Sequence, residues 1–304
     1  MTPTEDGAAP VCLPPRRQVS RPRWTLPPGA TDCHCHVYDD PQRYPLVAQR
    51  SYTPVRADLE QYLAMCRQVG LSRTVQVSAS VYGADNRLTL DVIAALGQHR
   101  ARGVAGLPAD VTAQQLETLH AGGMRGVRVS THVKGYGGTQ AISHFAERIR
   151  PFGWHVQVHV LHADEIAGLE QELLRVPVPL VFDHLGCVRG AEGPQNAGFQ
   201  AMLRLLRQRD DCWAKISSWY RRSDAGGDHA DMAPIVAALV DARPDRLVFG
   251  TNWPHPALQA PATVPDDGQL TDQFASWIPD EAVRRRILVD NPAALYGFPP
   301  VETA

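Results

Sequence analysis

Short runs of β-branched and aliphatic residues recur along this chain, and most are followed by apolar positions spaced three and four apart. That alternation predicts strands, each trailed by an amphipathic helix. Eight runs read as strands: residues 30–37, 74–80, 102–107, 126–132, 155–160, 179–186, 212–220 and 246–253. The first helix has Asp58 as N-cap, Leu59, Tyr62, Leu63 and Cys66 on one face, and Gly70 as its stop. Asp85 and Asn86 are expected to cap the second, which carries Leu88, Val92, Ala95 and Leu96. Further helices are predicted from Thr112 to Gly122-Gly123, over 140–150, 164–174, 199–208 and 231–241, and from Asp280 through Val283, Ile287 and Leu288.

Strict strand–helix alternation implies a parallel sheet. Eight such units in about 250 residues match a closed (β/α)8 TIM barrel. An open doubly wound sheet would want a GxGxxG after its first strand, and none stands there. Residues 29–304 are therefore expected to form one α/β barrel domain. Residues 1–28, rich in Pro and Arg, are expected to form a flexible arm that wraps onto it.

Composition adds little. Hydrophobic residues are 44% and charged residues 20% of the 304, as in an ordinary soluble enzyme. A formal net charge of −2 gives no reason to expect nucleic acid or a membrane surface as partner, and no apolar run approaches the ~20 residues of a membrane span. Arg16-Arg17 lacks the apolar segment that would make it an export signal. The six cysteines show neither CxxC nor disulfide-framework spacing, which predicts a reducing, cytoplasmic location. The oligomeric state stays open.

Barrel enzymes carry their chemistry at the C-terminal ends of the strands. The first strand ends Asp32-Cys33-His34-Cys35-His36, so alternation puts His34 and His36 on one face and the two cysteines on the other. The fifth ends at His159, the sixth in Asp183-His184-Leu185-Gly186, and the eighth in Gly250-Thr251-Asn252-Trp253-Pro254-His255. One such histidine is an ordinary hydrogen-bonded core residue; histidines at three strand ends describe a site. Asp183, one residue before His184, is expected on the opposite face as a structural acceptor. Arg128 is expected to point inward, either to hold a substrate carboxylate or to pair with a core acid. Tyr52, Ser80, Tyr82, Lys134, Arg221 and His255 are further candidates for substrate binding, and the glycines of 134–138 would permit a mobile lid.

These motifs resemble the amidohydrolase superfamily. The agreement extends over about residues 28–298, through Ala30-Thr31-Asp32-Cys33-His34-Cys35-His36-Val37, Tyr52-Thr53-Pro54, Tyr82-Gly83-Ala84-Asp85-Asn86, Gly123-Met124-Arg125-Gly126-Val127-Arg128, Gly153-Trp154-His155, Asp183-His184-Leu185-Gly186 and Asn291-Pro292. The branch is the one that holds lactonases of pyrone dicarboxylate and sulfomuconolactone together with a galactarolactone isomerase. The resemblance implies an enzyme that attacks the acyl carbon of a carboxylated lactone, with His34, His36, His184 and Asn252 at the reaction centre. It also implies either one divalent metal, zinc or manganese, on His34, His36, His159 and His184, or no metal and an oxyanion held by protonated histidines.

Two departures stand out. The superfamily's strand-eight base is an Asp, and here it is Asn252, whose amide cannot take a proton near neutral pH. An isomerase that moves an acyl group between hydroxyls of one sugar acid tolerates that change, and a lactone-binding protein without turnover would too. The pyrone lactonase's extra arginines, near Lys134 and Cys187, are also missing, which argues against pyrone dicarboxylate as substrate.

Overall fold

The computed structural model describes residues 9–131, 133–260 and 263–301. Eight strands run β1 Thr31–Cys35, β2 Arg73–Val77, β3 Ala101–Ala105, β4 Met124–Ser130, β5 His155–His159, β6 Leu180–Phe182, β7 Cys212–Ser217 and β8 Leu247–Gly250. They pair in parallel in sequence order. The ring closes just beyond β8, where Asn252 N donates to His34 O and His36 N to Trp253 O, both at 2.7 Å. The expected (β/α)8 barrel is therefore the fold.

The helices between strands are α1 Leu59–Val69, α2 Arg87–Leu96, α3 Ala113–Ala121, α4 Ile142–Ile149, α5 Asp164–Leu173, α6 Ala197–Gln208 and α7 Ala233–Ala242. Asp58 and Gln61 form a reciprocal capping box on α1, and Gly70 ends the helix at φ 100°. Asn86 does not cap α2. Its side chain is bonded to both backbone groups of Gly106 beyond β3, while Asp85 accepts from Arg87 N. An unforeseen helix, α8 Asp267–Trp277, follows β8 and is capped by Asp266. Asp280 starts α9 Glu281–Arg285 as expected, and a π-turn leads into α10 Asn291–Tyr296.

Strands covered on both sides are buried throughout. Cys33, Val75, Val77, Val104, Val181, Trp213 and Val248, from six strands, pack together with Tyr296 and Phe298. Side chains of six ring strands meet only inside the ring, so the C-terminal segment plugs its N-terminal end. Arg102 donates to the carbonyls of Tyr296 and Gly297 and holds that plug.

The two cysteines of the first strand do not share a face. Asp32 is opposite Thr74 but Cys35 is opposite Gln76, so β1 carries one extra residue, a bulge. Cys33 joins the inner cluster, while Cys35 bonds Thr74 Oγ1 at 2.9 Å in the outer core. All six cysteines are free and buried. The N-terminal segment runs along the barrel, with Ser20 bonded to Asp266 and Arg23 to Asp272. Among the described residues no helix is long and apolar enough to cross a membrane.

Candidate active site

Eight described non-glycine residues have left-handed φ, and all lie in the loops after β6, β7 and β8: His184, Leu185, Cys187, Ser218, His229, Asn252, His255 and Ala257. Such conformations cost roughly 1–3 kcal/mol each and cluster where function holds them. At β6 the consequence is direct. Alternation stops at Phe182, and His184 at φ 51° turns back into the mouth beside Asp183. The expectation that Asp183 faces away fails for that reason: both residues point inward.

Asp183, fully buried, gathers the interior. Its Oδ2 accepts from Arg128 Nε at 2.8 Å and Gln157 Nε2 at 3.0 Å. Its Oδ1 faces His34 Nδ1 at 3.1 Å and Lys215 Nζ at 3.6 Å. Burial works against its charge, but Arg128, His34 and Lys215 hold the carboxyl well below its ordinary range. Lys215 donates to Gln157 Oε1 at 2.6 Å, and burial pulls its ammonium down against the pull of Asp183. Arg128 thus pairs with a core acid, one of the two roles the sequence allowed, and it also lines the cavity.

Each of the four histidines has Nδ1 engaged by the protein. His34 faces Asp183, His36 the carbonyl of Val77 at 2.8 Å, His184 the hydroxyl of Ser217 at 2.8 Å, and His159 that of Ser130 at 3.2 Å. A carboxylate and a carbonyl only accept, and the Asp183 carboxylate at 3.1 Å is nearer to His34 Nδ1 than the Lys215 ammonium at 3.4 Å, so His34 and His36 are assigned their proton on Nδ1 and a lone pair at Nε2. Burial, then Arg128, pulls His36 down to about 3. His34 Nε2 is buried with no hydrogen-bond partner among the described residues. Imidazoles sharing a zinc ion at about 2.0–2.1 Å stand with ring centres roughly 5 Å apart. The His34 ring centre lies 5.1 Å from that of His36 and 4.6 Å from that of His184. The donor set fits a divalent cation that favours imidazole. Ligand atoms of His34, Asp183 and His184 lie within 4.8 Å of one another, but the Asp183 oxygens already serve four donors.

A cavity of about 160 Å³ opens above them, lined by His36, Tyr52, Ser80, Arg128, His159, His184, Arg221 and Asn252, with Ser51, Val133, Arg222, Pro256 and Ala257. His34 lies beneath it, fully buried. Three candidates stand elsewhere. Tyr82 packs on Tyr38, with its hydroxyl toward Asp39 N. Lys134 is exposed, and its backbone is tied to Ser51. His255 is buried behind Asn252, bonded to Tyr220 at 3.0 Å and Asp267 at 3.3 Å. The 134–138 loop is folded down, with the Tyr136 hydroxyl between Arg128 and the carbonyl of Ser78.

Sequence reasoning missed Gln157, Lys215, Tyr220 and Arg222. The first two had a legible signal: a polar residue at inward parity in a strand buried on both faces. Tyr220 and Arg222 sit in an irregular loop, where periodicity says nothing. The hydroxyl of Tyr220 accepts from Asn252 Nδ2 at 3.1 Å. Burial works to raise this phenol, but His255, Arg221 and Ser218 bring it down to about 8. Burial works to lower His255, yet Tyr220 and Asp267 raise it to about 9.

A family model described as amidohydrolase matches residues 31–298. The chain is 34% identical to a 4-sulfomuconolactone hydrolase of Rhizobium radiobacter, over 98% of this chain and 99% of that one. It is 33% identical to a 2-pyrone-4,6-dicarboxylate hydrolase of Comamonas testosteroni, over 91% and 93%. Identity to a D-galactarolactone isomerase of Agrobacterium fabrum is 30%, over 92% and 95%.

Proposed function

This chain belongs to the amidohydrolase family, and we propose that it is a lactonase whose substrate carries carboxylate or similar anionic groups. The observation that carries this reading is the meeting of three guanidinium groups, from Arg128, Arg221 and Arg222, with the imidazoles of His36, His159 and His184 on one small cavity. Nε and Nη1 of Arg128 are engaged by Asp183 and Tyr136, which leaves Nη2 for a substrate oxygen. Arg222 Nε is buried without a partner among the described residues, a donor that an anion would satisfy. Tyr52 and Ser80 flank the same space and supply hydroxyls to orient the ring.

The cation site supports a metal-assisted reaction over the metal-free one. An oxyanion needs donors, and His34 and His36 present lone pairs. A zinc or manganese ion held by His34, His36, His159 and His184 would supply a Lewis acid for the ring carbonyl. Arg128, Arg222 and Asn252 line the same cavity, where the two guanidinium groups would position the acyl carbon. The six free, buried cysteines support a reducing, cytoplasmic compartment. Residues 29–304 are proposed as one catalytic domain, with 1–28 as its arm.

Asn252 favours a second reading, intramolecular acyl transfer in a sugar-acid lactone. Turnover in 18O-labelled water separates the two. Hydrolysis places label in the product carboxylate; a shifted lactone ring without label refutes hydrolysis. Saturable binding with no turnover at all would reduce the protein to a lactone-binding module.

A further inference from the structure

We propose that Tyr220 is the general base of this lactonase: its phenolate oxygen takes a proton from the attacking water, with His255 and Asp267 as positioning residues behind it. The inference rests on the lactonase reading and addresses what that reading lacks. Asn252 stands where a carboxylate would take the proton, and an amide cannot. Guanidinium groups have no lone pair to offer, and the cavity's imidazoles are assigned to the cation.

The geometry converges on one atom. The oxygen of Tyr220 lies 3.1 Å from Asn252 Nδ2, 3.0 Å from His255 Nδ1 and 3.4 Å from Arg221 Nε. Amide and guanidinium nitrogens only donate, so they favour the phenolate over the phenol. His255 Nε2 faces Asp267 Oδ2 at 3.3 Å, which completes a hydroxyl–imidazole–carboxylate series. Asp267 is the first residue of α8, an element the sequence did not announce. Asn252 lines the cavity and links it to Tyr220; its Nδ2 hydrogens go to Ser218 Oγ and Tyr220, which leaves Oδ1 to hold the attacking water.

The step balances. Tyr220 accepts one proton as the water oxygen bonds to the acyl carbon and the carbonyl electron pair moves onto its oxygen. On collapse the acyl carbon–ring oxygen bond breaks, and the ring oxygen takes the proton from Tyr220. The open hydroxy acid loses its carboxyl proton to solvent, and the phenolate is restored.

The charged groups that face Tyr220 are His255, Asp267 behind it, and Arg221 on its own loop. The chain has eight tyrosines, and burial pushes the other seven upward. A spectroscopic titration of phenolate absorbance should therefore show one tyrosine ionising near 8. That signal should vanish in Tyr220→Phe and move toward the ordinary value of about 10 in His255→Gln. With 4-sulfomuconolactone, 2-pyrone-4,6-dicarboxylate and galactarolactone as probes, Tyr220→Phe should lower kcat about 100-fold or more with little change in KM. His255→Gln should move the acid limb of the pH–rate profile with the spectroscopic titration. Absence of the early phenolate, or a Tyr220→Phe enzyme with wild-type kcat, overturns the proposal while leaving the lactonase reading intact. A wild-type chain that opens none of the three lactones sinks the lactonase reading, and the base with it.

Discussion

His34 Nδ1 lies 3.1 Å from Asp183 Oδ1, and both side chains are fully buried. This contact joins the charge network of the barrel interior to the histidines at the mouth. The carboxylate accepts the Nδ1 proton and so decides that Nε2 of His34 is a lone pair. The same carboxylate offsets the charges of Arg128 and Lys215.

Asp183→Asn should therefore cost stability as well as activity. Removing one partner of a buried charge network costs about 3–5 kcal/mol. In a chain of this size that lowers Tm by roughly 5–8 °C. Adding Lys215→Met to Asp183→Asn should recover part of the loss, because one uncompensated charge disappears. Thermal denaturation of the two single variants and the double variant checks this. A double variant that loses the sum of its singles would argue against charge compensation.

Arg128→Met should raise KM for an anionic lactone and lower kcat/KM by about 100-fold, since a charge-assisted bond contributes roughly 1.5–3 kcal/mol and Asp183 is left less compensated. Arg222→Met, with no buried acid to strand, should raise KM at nearly unchanged Tm. Equal KM values for charged and uncharged lactones in the wild-type enzyme would remove the anion from the account.

Protein purified without a histidine tag should carry close to one equivalent of zinc or manganese. His36→Ala should lose it, and His255→Ala should keep it. Metal analysis by atomic emission reads both. Full activity at a small fraction of an equivalent would refute the Lewis-acid role.

The pH dependence has a defined sign. Tyr220 is active as the phenolate, so kcat/KM should rise as pH increases through about 8. The Tyr220–His255 pair titrates jointly, so the limb belongs to the pair. Asn252→Asp introduces a carboxylate that ionises in acid and should extend hydrolysis to lower pH. An unchanged acid limb in Asn252→Asp, measured with the same lactone, counts against a base role for a carboxylate at position 252 and leaves the limb with Tyr220.

The strand rhythm, the caps at Asp58 and Asp280, and the histidines at three strand ends were legible because they are local. A two-residue period, a carboxylate before a helix and an HxH each need only a few consecutive residues. Tertiary structure decided the rest. The bulge in β1 separated Cys33 from Cys35, and the left-handed turn at His184 brought Asp183 inward, because alternation holds only while the backbone stays extended. Lys215 and Gln157 found Asp183 only once the ring had closed. Tyr220, Asn252 and His255 meet because the loops after β7 and β8 fold against α8, and no periodicity governs such loops. The chain alone thus placed the imidazoles, while the partner of each, and with it the proton each carries, depended on residues far apart in sequence.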